Sequence, residues 1–225
     1  MKIKFGAIVV AGSGKIGGHV ASKNRAGAYL RTKTTPTNPN TPAQAQARSI
    51  LGSLSTAWGL LTEDQRKTWN DAVASFATTD IFGDIKNPSG INLYVKLNAN
   101  LEASGQAQLL VAPSKEEIPF FALTSAVFDM SDETLTFNAA VDGYDGLAMK
   151  IQATPAFSAG ISNFKSKLRN IGYNSSISTA GFNWDSYQTK FGTPVIGSKI
   201  ALSIAVILPT GQQGTAQTVI ATVQA

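Results

Sequence analysis

The chain has 225 residues, 43% of them hydrophobic, and a mean hydropathy near zero, which describes a globular protein of one large or two modest domains and excludes wholesale disorder. It has no cysteine, so disulfides and thiolate metal sites are excluded and nothing follows about the redox compartment. The formal net charge of +5 conceals a polarised molecule: residues 1–62 hold eight basic residues and no acid, for +8, while the remainder carries −3.

The longest apolar run, Ile200 to Leu208 interrupted by Ser203, falls far below the roughly 20 residues that cross a bilayer. Lys2 and Lys4 ahead of Ala7 to Ala11 have the outline of a signal peptide, but Gly12, Ser13, Gly14 and Lys15 end the apolar stretch too early. The expectation is a soluble, unprocessed chain without a membrane partner.

Ile3, Phe5, Ala7 and Val9 alternate with Lys2, Lys4, Gly6 and Ile8, which predicts one short strand with a basic edge that needs a partner. Scattered glycines follow, and Tyr29, Arg31 and Lys33 offer a second short strand. Pro36, Pro39 and Pro42 then exclude helix and central strand alike. Residues 1–40 therefore read as an extended basic arm.

A helical domain is expected over residues 41–104. Thr41 caps with Pro42 at the first helical position, and Ile50, Leu51, Leu54 and Trp58 fall on one face up to Gly59. Thr62-Glu63-Asp64-Gln65 has the form of a capping box, with Trp69, Val73 and Phe76 as the next apolar stripe. These two helices form a hairpin packed through Trp58 and Trp69, and a third runs from Ser89 to about Ala103. Between them, Asp80 to Pro88 reads as a loop whose Ile81, Phe82 and Ile85 tuck against the helices.

Residues 105–119, with Gly105, Pro113 and Pro119, lack periodicity and read as a linker. Beyond them, over residues 120–225, alternating runs at Leu123–Phe128, Leu135–Val141, Leu147–Ala153, Leu168–Tyr173, Phe182–Tyr187, Lys199–Leu208 and Thr215–Val223 are separated by polar turns. They predict an immunoglobulin-like β-sandwich without its disulfide, with part of Ser158 to Asn174 open to a helical reading. The fold class is α+β.

Gly12-Ser13-Gly14-Lys15-Ile16-Gly17 is a formal GxGxxG, yet no acid stands about 20 residues on and no strand, helix and second strand fit before the prolines. It fails as a phosphate loop as well, since Val9 and Ile16 occupy positions that need Gly and Ser or Thr. These glycines read as a tight turn or flexible arm. His19 is the single histidine, with no carboxylate near it in sequence, so neither a His-rich metal site nor a nucleophilic triad has support. Asp142 with Asp145, and Asp129 with Asp132 and Glu133, read as turn residues rather than calcium ligands. No catalytic residue, metal ligand, cofactor or small-molecule substrate is assigned, and the chain is read as no enzyme.

Ser22-Lys23-Asn24-Arg25-Ala26-Gly27-Ala28-Tyr29-Leu30-Arg31, the run Asn38-Pro39-Asn40-Thr41-Pro42 with Gln44, Gln46 and Arg48, then Trp58, Leu61-Thr62, Gln65-Arg66 and Trp69-Asn70 stand in an order that resembles a family of tailed-bacteriophage virion structural proteins. That family is encoded among head, neck and tail genes, including those of crAss-like and other phages of Bacteroidota. The resemblance covers about residues 1–100 and implies a virion building block made in the host bacterial cytoplasm, present in many copies, whose partners are copies of itself and other virion proteins. Joined to the charge asymmetry, it makes Lys2, Lys4, Lys15, Lys23, Arg25, Tyr29, Arg31 and Lys33 the candidate inter-subunit contacts, with the arm lying on an acidic neighbour or adding its strand to that neighbour's sheet. Two alternatives stay open. The sandwich recognises a host protein or glycan through exposed aromatics such as Tyr144, Phe157 and Trp184, or the basic arm contacts DNA in a neck protein.

Overall fold

The computed structural model describes residues 1–4, 6, 11–24, 27–132, 134–141, 147–174 and 184–225, with the backbone alone at 135 and 138–141. It is α+β. Three strands, β1 (Gly14–Ile16), β2 (His19–Asn24) and β3 (Gly27–Thr32), form an antiparallel meander. Within residues 1–40, therefore, 14–24 and 27–32 belong to a small sheet where an extended arm was expected. The strand predicted at Ile3 to Val9 lies largely outside the described residues, but Lys2 bridges Tyr29 at the open edge of β3.

Helices α1 (Pro42–Leu60), α2 (Glu63–Ala72) and α3 (Gly90–Ala103) follow the predicted signals closely. Thr41 and Thr62 each accept from the amide of the residue three positions on, Gln44 or Gln65, whose side chain in turn accepts from the capping residue's own amide. Ser89 caps α3 through the amide of Asn92. Leu54, Trp69, Leu93, Tyr94 and Leu97 form the buried centre, and each such side chain contributes about 1.5–3 kcal/mol. Tyr94 of α3 is the pivot: its ring centroid lies 5.4 Å from Trp58 and 5.2 Å from Trp69. The two tryptophans thus pack through α3 rather than as a two-helix hairpin alone. Leu51, expected on the buried face, is exposed.

Two corrections concern the connections. Asp80 to Pro88 contains part of a hairpin, β4 (Thr78–Thr79) with β5 (Ile85–Lys86), and its apolar residues point outward: Ile81 is 76% and Ile85 72% exposed. The predicted linker is bound along the helices. Trp69 Nε1 donates to the Leu110 carbonyl at 3.0 Å, the Asn98 carboxamide bonds both to the Leu109 amide and to its carbonyl, and the Ala112 amide donates to Thr68 Oγ1.

The C-terminal part comprises β6 (Phe121–Asp129), β7 (Thr134–Val141), β8 (Ala148–Ala153), β9 (Arg169–Asn174), α4 (Trp184–Phe191), β10 (Lys199–Ile207) and β11 (Gln217–Gln224). The strands join in one sheet of order β7-β6-β11-β10-β8-β9, where the immunoglobulin-like reading called for two stacked sheets. All pairs are antiparallel except β6 with β11. Of the strand predicted at Phe182–Tyr187, the described residues from Trp184 on are instead the start of α4, whose Trp184, Tyr187 and Phe191 recur at helical spacing; Trp184 and Tyr187 pack against Phe128, and Phe191 against Tyr187. Ile200, Leu202, Ile204 and Val206 of β10 complete that core. The loop between β10 and β11 docks on α3, where Asn100 Nδ2 donates to the Gly211 carbonyl at 2.8 Å.

Candidate assembly interface

The N-terminal meander has almost no core of its own. Of the described residues in β1, β2 and β3, only Ala21 is buried. A sheet this small is not stable by itself in water. Among the described contacts, residues 1–4 tie it to the β4–β5 hairpin through Asp80. That side chain is 3% exposed, and its Oδ1 accepts from the amides of Phe82 at 2.8 Å and Asp84 at 3.1 Å, which fixes the turn. Its Oδ2 receives Lys2 at 3.3 Å, with Lys86 at 3.9 Å. Burial resists ionisation of Asp80, but the Phe82 and Asp84 amides and the Lys2 ammonium together outweigh it and hold the carboxyl below its ordinary range. Lys4 reaches the Asp84 carboxylate at 3.1 Å and lies 5.3 Å from the centre of the Phe82 ring. A cleft of about 390 Å³ runs between the two parts, lined among others by Lys2, Lys4, Lys23, Asp80, Phe82 and Asp84.

Backbone bonds complete the attachment. The Leu30 amide donates to the Met1 carbonyl at 2.8 Å and the Ile3 amide to the Ala28 carbonyl at 3.1 Å, so residues 1–3 act as a fourth strand on β3. The acidic partner foreseen for the basic arm is, for Lys2 and Lys4, this chain's own hairpin.

The remaining candidates are divided. Lys15 stands opposite Val20, which stands opposite Arg31, so Lys15 and Arg31 share one face of the sheet. Lys23, adjacent in β2 to the Ser22 that pairs with Tyr29, turns to the other face. Lys33 follows β3 and its amide donates to the Gly18 carbonyl at 2.8 Å. Lys15, Lys23, Arg31 and Lys33 are exposed and make no ion pair among the described residues. Tyr29 is half-buried and pairs with Lys2 of the added strand, and Arg25 lies outside the described residues.

The other motifs find plain structural roles. Gly17 and Gly18 form the two-residue turn from Ile16 to His19, Gly17 at φ +56°, and no helix follows to receive a pyrophosphate. His19 is exposed on β2. Asp129 Oδ1 accepts from the amides of Ser131 and Asp132 and from Ser131 Oγ, organising the turn after β6; these donors place its carboxyl below the ordinary range, against a smaller opposing effect of burial. Asp142, Asp145, Glu133 and Tyr144 lie outside the described residues. Phe157 and Trp184 are buried, 6% and 4% exposed, and do not form the outward aromatic cluster that ligand recognition required. No described helix is long and apolar enough to cross a membrane.

Sequence reasoning missed the acidic half of this interface because Asp80 lies 78 residues from Lys2. The one local signal was two acids bracketing Ile81, Phe82 and Gly83 in a stretch otherwise read as a loop. Comparison with known protein families, curated proteins and solved structures finds no match to this chain.

Proposed function

We propose that the chain is a non-enzymatic building block of a tailed-phage virion, assembling in many copies in a head, neck or tail ring through its N-terminal 40 residues. The observation that carries this reading is the meander: a three-stranded sheet with one buried side chain, held by polar contacts, displaying four exposed cations without a described partner. Covering such a sheet with a neighbouring subunit supplies the burial that its own sequence withholds. The ordered motifs of residues 1–100 support the same reading.

Removal of residues 1–40 tests it. Both hydrophobic cores are built from residue 50 onward, so the truncated chain folds, with the full chain's thermal transition retained within a few degrees. Sedimentation then shows the full chain assembling and the truncated one monomeric. A truncated chain that assembles as the full one does overturns the proposal.

A further inference from the structure

The strand formed by residues 1–3 touches the rest of the molecule only at a surface. No residue before Ala21 is buried among the described residues, and none before Ile50 joins either hydrophobic core. Among the described residues, its attachment consists of edge backbone bonds to Ala28 and Leu30, the ion pairs Lys2–Asp80 and Lys4–Asp84, and Lys4 over Phe82. The acceptor is built without it, since β3 is paired to β2 along its whole length and the Asp80 turn is closed by its own amides. Nine residues separate Lys4 from Gly14, a span of about 30 Å when extended. A second copy can therefore offer the identical strand to the identical acceptor, with every backbone bond and ion pair conserved.

From this we infer that residues 1–4 are an exchangeable strand, and that in the assembled protein they dock on the β3 edge and the Asp80–Asp84 hairpin of a second copy of this chain. The inference rests on the assembly reading above and specifies which contact joins the copies. Exchange leaves the contact inventory unchanged and so costs little beyond the association itself, and neighbours already close in a ring favour it by effective concentration. The basic N-terminus and acidic hairpin are two halves of one interface that one chain closes on itself when alone.

The Met1–Leu30 and Ile3–Ala28 bonds make Lys2 and Tyr29 a non-hydrogen-bonded cross-strand pair, with the close approach of about 4.5 Å between α-carbons that a disulfide accepts. The natural chain has no cysteine to compete. Full-length Lys2→Cys and a size-tagged Tyr29→Cys are mixed, assembled and oxidised. Exchange yields a disulfide-linked dimer of one tagged and one untagged chain, and the double variant Lys2→Cys/Tyr29→Cys links chains into a ladder. As a measurement free of substitutions, carbodiimide treatment of assembled protein mixed from light and isotopically heavy chains gives Lys2–Asp80 cross-linked peptides containing one label of each kind. Assemblies in which the double variant closes only within single chains and the cross-links are never mixed overturn the exchange while leaving assembly intact. A full chain that stays monomeric at every concentration overturns both.

Discussion

Gly211→Ala is the most demanding test of how the helices meet the sheet. Gly211 sits at φ +78°, and a methyl group added there would lie 2.4 Å from the Leu97 carbonyl oxygen and 2.8 Å from its carbon, both backbone atoms of α3. The left-handed conformation alone costs a non-glycine residue about 1–2 kcal/mol. Relieving the overlap moves the loop away from α3, which lengthens the Asn100 Nδ2 bond to the Gly211 carbonyl, now 2.8 Å; that loss adds about 0.5–1.5 kcal/mol. The combined cost is about 1.5–3.5 kcal/mol, or a Tm lower by about 3–14 °C for a chain of this size. Tryptophan emission during urea unfolding is a suitable assay, because Trp58 and Trp69 belong to the helical core and Trp184 to the sheet core. Two controls divide the effect. Asn100→Ala removes only the amide donor and costs about 1 kcal/mol. Gly214→Ala meets the Val206 Cγ2 and Ile118 Cγ2 methyls at 2.9 and 3.1 Å without a positive φ, so side-chain adjustment holds it below Gly211→Ala. A Gly211→Ala protein within about 0.5 kcal/mol of the parent refutes the close docking of this loop.

Two further outcomes are expected. The Asp80 carboxyl is held below its ordinary 3.8, so its contribution to attachment of the N-terminal strand is complete above that pH and is lost as pH falls through the lower folded value; amide chemical shifts of Ile3 and Leu30 move to those of a released strand in acid, and Asp80→Asn removes the Asp80 share of that change while leaving the Lys4–Asp84 pair in place. Trp184 Nε1 is buried with no hydrogen-bond partner among the described residues, whereas Trp69 Nε1 donates to Leu110. Trp69→Phe therefore costs at least about 1 kcal/mol more than Trp184→Phe in chemical denaturation, and the reverse order would show that the indole of Trp184 is satisfied after all.

Those tryptophans also show where sequence reasoning reached and where it stopped. Capping boxes at Thr41 and Thr62 are local, reciprocal and short in sequence, so the starts of α1 and α2 were legible to the residue, whereas the apolar stripe ran on to Phe76, four residues past the end of α2 at Ala72. Trp184 was misread because Phe182 and Trp184 alternate as in a strand, although Tyr187 and Phe191 continue the stripe at helical spacing. The stretch 105–119 resisted any periodic reading because its attachment is made by single side chains reaching backbone groups, from Trp69, Asn98 and Thr68, and such contacts leave no pattern. Among the candidate contacts, the basic residues were legible from composition. Their sorting was not, since the acids that receive Lys2 and Lys4 arrive through tertiary folding.

That sorting gives the acid-free N-terminal stretch two separable electrostatic roles. Lys2 and Lys4 are neutralised by Asp80 and Asp84, and Arg48 is engaged by the side-chain oxygens of Asn38 and Asn40. The exposed positive charge of the described meander is then that of Lys15, Lys23, Arg31 and Lys33. Contacts made by these four to a neighbour are screened over a Debye length of about 8 Å at physiological salt, and weaken as salt rises. The Lys2–Asp80 and Lys4–Asp84 pairs weaken too, but equally whether the strand is its own or a neighbour's, since the same pairs stand on both sides of the exchange. On the proposed assembly, salt therefore shifts how much protein assembles while leaving the balance between retained and exchanged strands, among assembled copies, nearly where it was. An exchanged fraction that collapses with salt faster than assembly itself would mean that contacts outside residues 1–4 determine where the strand docks.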